Sequence, residues 1–265
     1  MIDTQAHILD PARFPYPSPC PGYRPAPDEI GTIEMLLQQM DRTGISRAVL
    51  VQPSTYGTDN SAILTAMAGA PERFRAVVVA RNDPDEITRL ARQPGVCGVR
   101  LNLTHSRELP AEISALRDMA RRIASTGLLV QVQGTPETLP SLLDGLDDVP
   151  VLIDHFGRLD VSNPASVAAI CRLADAPGNL LKVSGGFRLA PSGDWRNNLS
   201  PFEQVMAAFG PERLVWGSDW PFINHDGPTP TYTECLDWGR ALLPDERTAD
   251  ATAATLFGWD NDDGG

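Results

Sequence analysis

Histidine, the side chain best suited to proton transfer near neutral pH, occurs four times in 265 residues, as His7, His105, His155 and His225. Two of the four stand at the ends of apolar runs beside other polar groups. The first run closes as Asp3-Thr4-Gln5-Ala6-His7, and a two-residue period puts Asp3, Gln5 and His7 on one face. Another closes as Asp154-His155, and a third carries Asp219 within Trp216-Gly217-Ser218-Asp219-Trp220-Pro221. Two imidazoles and a carboxylate can hold one divalent metal, or can polarise a carbonyl and activate a water without one. Arg100 and Asn102, Gln131 and Gln133, and Gln52 with Ser54 place further polar groups late in apolar runs. A hydrogen-bonded structural role is open to each alone, but together they favour a pocket. His-Glu-x-x-His, Gly-x-Ser-x-Gly and the Walker glycine loop are all absent, which disfavours zinc protease, serine hydrolase and nucleotide enzyme. Gly185-Gly186 reads better as a tight turn than as a phosphate loop.

Eight such runs recur along the chain and would position these groups: roughly Ile2–Ile8, Arg47–Ser54, Phe74–Ala80, Cys97–Leu103, Leu128–Gln133, Val149–Phe156, Leu180–Gly186 and Leu214–Pro221. Val, Leu and Ile dominate several of them, as in strands buried on both faces. Helical patterning lies between, for example over Glu112–Ser125 and Pro164–Asp175. Alternation of this kind predicts βαβ units, and eight of them predict a single-domain (β/α)₈ TIM barrel over residues 1–259. The acidic tail 260–265, with Asp260, Asp262 and Asp263, is expected to be frayed chain. Helix-to-strand links are short, as at Thr43-Gly44-Ile45 and Gln93-Pro94-Gly95. Three strand-to-helix links are long, from Asp10 to Gly31, Gly185 to Ser200 and Pro221 to Thr231. In this architecture the long links gather at the C-terminal mouth, where chemistry is placed.

Composition narrows the partners. A formal net charge of −12 disfavours nucleic acid and anionic membrane, both of which select basic surfaces. Cys20, Cys97, Cys171 and Cys235 are scattered without a Cys-x-x-Cys pair, so reduced thiols are expected. No secretory leader or membrane span is evident, and a cytoplasmic location is expected. The partner expected is a small molecule, and the composition leaves a homo-oligomer open.

The opening Ile2-Asp3-Thr4-x-x-His7, Asp154-His155-x-Gly157-Arg158 and Trp216-Gly217-x-Asp219-Trp220-Pro221, in that order over the whole chain, resemble the amidohydrolase-2 group of the amidohydrolase superfamily. Val51-Gln52-x-Ser54, Gly98-Val99-Arg100-Leu101-Asn102 and Lys182-Val183-Ser184 resemble its lactone-hydrolysing branch, the 2-pyrone-4,6-dicarboxylate lactonases and sugar lactonases. The resemblance implies Asp219 as general base for water, with His7 and His155 polarising a lactone carbonyl. It implies Arg100, Arg158 and Arg188 as grips on substrate carboxylates, for which a guanidinium fork is suited. Tyr23, Ser54 and Gln131 join them as substrate contacts. A loop salt bridge is the plain alternative for Arg158 and Arg188, and loop packing for Tyr23 and Ser54. The departure is Gln5, which stands where most of the superfamily has the first histidine of His-x-His. An amide is a poor metal ligand beside imidazole, so lactone hydrolysis without a metal cofactor is expected, with Gln5 donating to the oxyanion. Should one zinc or manganese ion bind, its ligands would be His7, His155 and Asp219. The Asp-Thr-Gln-x-His opening also resembles galactarolactone isomerase, where asparagine replaces the strand-eight aspartate; retention of Asp219 favours hydrolysis. Metal-dependent hydrolysis or decarboxylation, and a barrel that only binds a ligand, are the other readings.

Overall fold

A computed structural model describes residues 1–104, 109–190 and 194–259. His105 and the tail 260–265 lie outside the described residues. Eight strands form one parallel sheet in sequence order: β1 Asp3–Ala6, β2 Ala48–Val51, β3 Phe74–Val78, β4 Val96–Asn102, β5 Leu129–Gln133, β6 Val151–Ile153, β7 Asn179–Val183 and β8 Leu214–Trp216. The helices are α1 Ile33–Thr43, α2 Ser61–Gly69, α3 Pro84–Ala91, α4 Ile113–Ser125, α5 Leu139–Leu143, α6 Pro164–Arg172, α7 Gly186–Leu189, α8 Ser200–Phe209, α9 Tyr232–Leu242 and α10 Glu246–Leu256. All eight expected strands are present, and the architecture is the (β/α)₈ barrel.

Alternation along the strands sorts side chains between two clusters. Val99 and Leu101, Val130 and Val132, and Leu181 and Val183 face the helices. Val49, Val51, Val77, Leu129, Leu152 and Val215 form an apolar inner floor, closed below by Ala253, Phe257 and Trp259. Arg100, Gln131 and Lys182 alternate with the helix-facing residues of their strands, so they point inward at the level above that floor. Register sets Arg100 beside Gln131 and Lys182 beside Val215.

The barrel closes between β8 and β1 just beyond the strand ends. There Ala6 bridges Trp220, the His7 amide donates to Trp220 O at 2.8 Å and the Asp219 amide donates to Gln5 O at 2.8 Å. The buried Asp3 carboxylate supports this seam. Oδ1 accepts from the amides of Gln5 (3.0 Å) and Ser218 (2.8 Å), and Oδ2 accepts from the hydroxyls of Ser218 (2.6 Å) and Tyr232 (2.8 Å). Gly217 is required at the crossing, because a Cβ there would lie 2.4 Å from Gln5 Cβ. Among the described residues no helix is long and apolar enough to cross a membrane.

Candidate active site

All the expected strands but β5 overran the observed ones at their C-terminal ends, and the histidines and Asp219 of the site lie in that overrun. His7 is one residue past β1, Asp154 and His155 follow β6 directly, and Asp219 is three past β8. Several hold left-handed backbone: His155 has φ 50, Phe156 φ 51, Arg158 φ 50 and Asp219 φ 64. Such conformations cost about 1–3 kcal/mol each in non-glycine residues and gather at functional sites. Gly185, at φ 68, lies directly against His155, and a Cβ there would meet His155 Nδ1 at 2.9 Å. The Gly-Gly pair is therefore a tight turn beneath an imidazole.

A narrow cavity of about 40 Å³ opens at the mouth, lined by His7, Tyr23, Ser54, Arg100, Asn102, Gln133, His155, Arg158, Arg188, Asp219, Ile223 and Asn224. Eight of the ten sequence candidates line it, all but Gln5 and Gln131. A larger concavity of about 980 Å³ near Arg47, Met67 and Arg75 lies at the opposite barrel end and gathers no histidine.

At the centre stands Asp219. Its Oδ1 lies 3.4 Å from His7 Nε2 and 3.8 Å from His155 Nε2, and accepts no well-formed hydrogen bond among the described residues. Its Oδ2 accepts from Arg188 Nε. Burial pushes this carboxyl upward, yet Arg188 and the two imidazoles hold it well below the usual carboxylate range. The two histidines differ in their outer partners. His7 Nδ1 is 2.7 Å from Val51 O, a carbonyl that can only accept, so Nδ1 carries the proton of that bond and Nε2 is the atom turned toward Asp219. His155 Nδ1 is 2.8 Å from Ser184 Oγ, a hydroxyl that can donate or accept, so this contact is compatible with N–H on Nε2. Burial lowers the His155 pKa to about 3 despite Asp219 and Asp154, so His155 is neutral at ordinary pH.

Gln5 and Gln131, expected at the substrate, are fully buried below the cavity wall instead. Gln5 Nε2 lies 3.4 Å from His7 Nε2, and its Oε1 accepts from Lys182 Nζ (2.6 Å) and Gln131 Nε2 (3.1 Å). Gln131 also donates to Asp154 Oδ2 at 3.0 Å. Asp154 Oδ2 takes Arg100 Nε at 3.1 Å, and Oδ1 lies 3.1 Å from Lys182 Nζ. Burial opposes ionisation of Asp154, but Lys182 and Arg100 overcome it and bring the pKa to about 2. Arg100 is otherwise engaged with Gln52 O and Gln133 Oε1. Arg158 lines the cavity and makes no hydrogen bond among the described residues; burial, with Arg188 and Arg100 nearby, lowers its pKa. Tyr23 is held by Glu29 Oε2 at 2.6 Å, and Glu29 Oε1 accepts from the Asn224 amide at 2.9 Å, so one carboxylate links the first and last mouth loops.

Lys182, Ser184 and Glu29 were not among the expected site residues. The signal for the first two was present: the only lysine of the chain, and a serine in the same register, sit where strand seven must face inward.

The set of donors suits a divalent ion poorly. The ammonium of Lys182 already lies on Gln5 and Asp154, and Arg188 on Asp219. Among the described residues no three His, Cys, Asp or Glu side chains are arranged to hold a metal ion.

Known proteins resemble this chain over most of its length. The 4-sulfomuconolactone hydrolase of Rhizobium radiobacter is 30% identical over 241 residues, covering 85% of this chain and 77% of that protein. The D-galactarolactone isomerase of Agrobacterium fabrum is 26% identical over 92% of this chain and 85% of its own. A crystal structure of a probable 2-pyrone-4,6-dicarboxylic acid hydrolase from Acinetobacter baumannii, with citric acid bound, superposes with a TM-score of 0.77 at 28% identity, covering 97% of this chain and 98% of that one. The family model described as Amidohydrolase (Amidohydro_2) matches residues 2–252. With its barrel, its strand-end histidines and its strand-eight aspartate, the chain belongs to the amidohydrolase family.

Proposed function

We propose that this protein hydrolyses a small anionic lactone, with Asp219 as the proton acceptor for water, His7 held beside it and no resident metal. The observation that carries the reading is Asp219 Oδ1, a buried carboxylate oxygen without a good donor, facing His7 Nε2 across 3.4 Å. A carboxylate oxygen so placed can take a hydrogen from one water and aim its lone pair at a carbonyl carbon. His155, neutral with N–H on Nε2, donates to the carbonyl oxygen as charge develops there. The ring C–O bond breaks as the tetrahedral centre collapses. The proton taken from water passes to the leaving alkoxide, and the product is a hydroxy acid.

Arg188 couples substrate charge to this step. While it grips Asp219 Oδ2 the base is weak. A substrate carboxylate competes for the guanidinium, and Asp219 regains proton affinity as the pair loosens. Lactone hydrolysis is also the activity in the name of the 4-sulfomuconolactone relative. Isomerisation, favoured by the Gln5-x-His7 opening and the galactarolactone isomerase relative, would put a substrate hydroxyl in place of water.

The test is acid release from a panel of carboxylated and sugar-derived lactones, with and without chelator. Wild-type protein should turn over at least one carboxylated lactone, undiminished by chelation and with well under one equivalent of zinc or manganese. Asp219→Asn should lose ~10²–10⁴-fold in kcat with the fold intact. A chelated enzyme that is inactive and regains its rate on metal addition would overturn the metal-free reading. An isomerised product without acid release would favour the isomerase.

A further inference from the structure

Lys182 is the only lysine in the chain and has no exposed surface. An ammonium is costly to bury at an inward position that an aliphatic residue could fill. One anion, Asp154, lies beside it, and Arg100 shares that anion. Arg100 and Gln131 both engage Asp154 Oδ2, Lys182 faces Oδ1 at 3.1 Å, and its shortest contact is a different one: Nζ to Gln5 Oε1 at 2.6 Å.

That contact decides which way a carboxamide faces. An amide oxygen and nitrogen differ little in size, and a glutamine between two acceptors could turn either end outward. Here Lys182 Nζ and Gln131 Nε2 can only donate, so both claim the oxygen. The NH₂ is left to His7 Nε2, 3.4 Å away, whose lone pair is the available acceptor when Nδ1 donates to Val51 O.

We propose that Lys182 is a positioning residue for the reaction: it pins Gln5 Oε1, so that the Gln5 NH₂ braces the His7 imidazole against Asp219. The inference rests on the reading of Asp219 as base, beside which His7 stands. An amide turned the other way would present a second lone pair to Nε2, and repulsion would push the ring from its line with Asp219 Oδ1. Misplacing a reacting group by about 1 Å commonly costs on the order of a hundredfold in rate.

The experiment is a double-mutant cycle of Lys182→Met and Gln5→Ala on the lactone that wild type turns over, with kcat and KM measured separately. Each single variant should lower kcat about tenfold to a hundredfold and leave KM within about threefold. The double variant should be no slower than the slower single one, because both changes remove one device. Multiplicative losses, or a Lys182→Met variant with wild-type kcat, would overturn the proposal. Gln5→Glu covers the case in which Lys182→Met does not fold. It keeps and strengthens the bond to Lys182 but has no NH₂, so it should fold with an unchanged or higher Tm and lose kcat as Gln5→Ala does. Wild-type kcat in Gln5→Glu would equally overturn it. Labelling with [¹⁵N]lysine gives a readout independent of turnover, since the protein has a single Nζ resonance. Loss of the Gln5 oxygen in Gln5→Ala should move or broaden it, and an unmoved signal would refute the contact. Should wild type open no lactone, the functional reading fails while this resonance still decides the Lys182–Gln5 contact.

Discussion

Arg100 and Arg158 look alike in sequence, yet their surroundings divide their work. Arg100 is 4% exposed, with Asp154, Gln52 O and Gln133 around its guanidinium. Arg158 faces the cavity with its donors uncommitted among the described residues. Arg158→Met should therefore raise KM for an anionic lactone roughly ten- to a hundredfold, as expected for loss of a charge-assisted hydrogen bond of about 1.5–3 kcal/mol, and leave Tm nearly unchanged. A neutral lactone should be much less affected. Arg100→Met should instead strand Asp154 beside a lone ammonium and lower Tm by several degrees. Equal KM effects on charged and neutral substrates would assign Arg158 to packing, and an unshifted melt for Arg100→Met would return it to substrate binding.

The strands hold these groups in place, and the β1–β8 seam is the joint on which Gln5, His7 and Asp219 all depend. Asp3→Ala would leave the amides of Gln5 and Ser218 buried without acceptors, at about 1–3 kcal/mol each. Thermal melts should show a loss of at least about 5 °C for a barrel of this size. Asp3→Asn should recover most of it, because the Ser218 and Tyr232 hydroxyls can turn to accept from its NH₂. Similar melts for the two variants would mean that the seam is carried by backbone pairing alone. This scale also explains what was legible beforehand. Strand number and order followed from eight apolar runs, since burial on both faces leaves an unbroken hydrophobic signal. The strand ends did not, because His155–Arg158 and Ser218–Asp219 leave extended geometry through left-handed turns that ordinary residues rarely adopt. Placement of Gln5 and Gln131 beneath the cavity was equally hidden. Periodicity gives the face of a strand, whereas depth in the barrel depends on strand stagger.

Across the whole molecule, the site makes the fold sensitive to acid, and the sign follows from its groups. His155 has a folded pKa of about 3, whereas an unfolded histidine titrates near 6.5. Between those values the unfolded chain binds a proton that the native barrel refuses, so stability falls as pH drops from about 6.5 toward 3, by up to about 1.4 kcal/mol per unit. Asp154, depressed to about 2, adds stability that is present above its unfolded pKa near 3.8 and lost as pH falls through 2. The Tm of wild type should decline on acidification from pH 6.5, and His155→Gln should flatten the portion between pH 6 and 4. Parallel curves would show that His155 accepts a proton within the native state.

The buried lysine has one more consequence, for how this protein can be chemically marked. Its other side-chain cations are all guanidinium groups, so amine-acylating reagents meet no exposed ε-amine on the folded surface. Acylation at Lys182 needs the barrel to open, and the protein thus carries its own stopwatch for global unfolding. In a large excess of a fast amine-reactive ester, the mass shift at residue 182 should accumulate at the unfolding rate, and a tight ligand of the mouth should slow it.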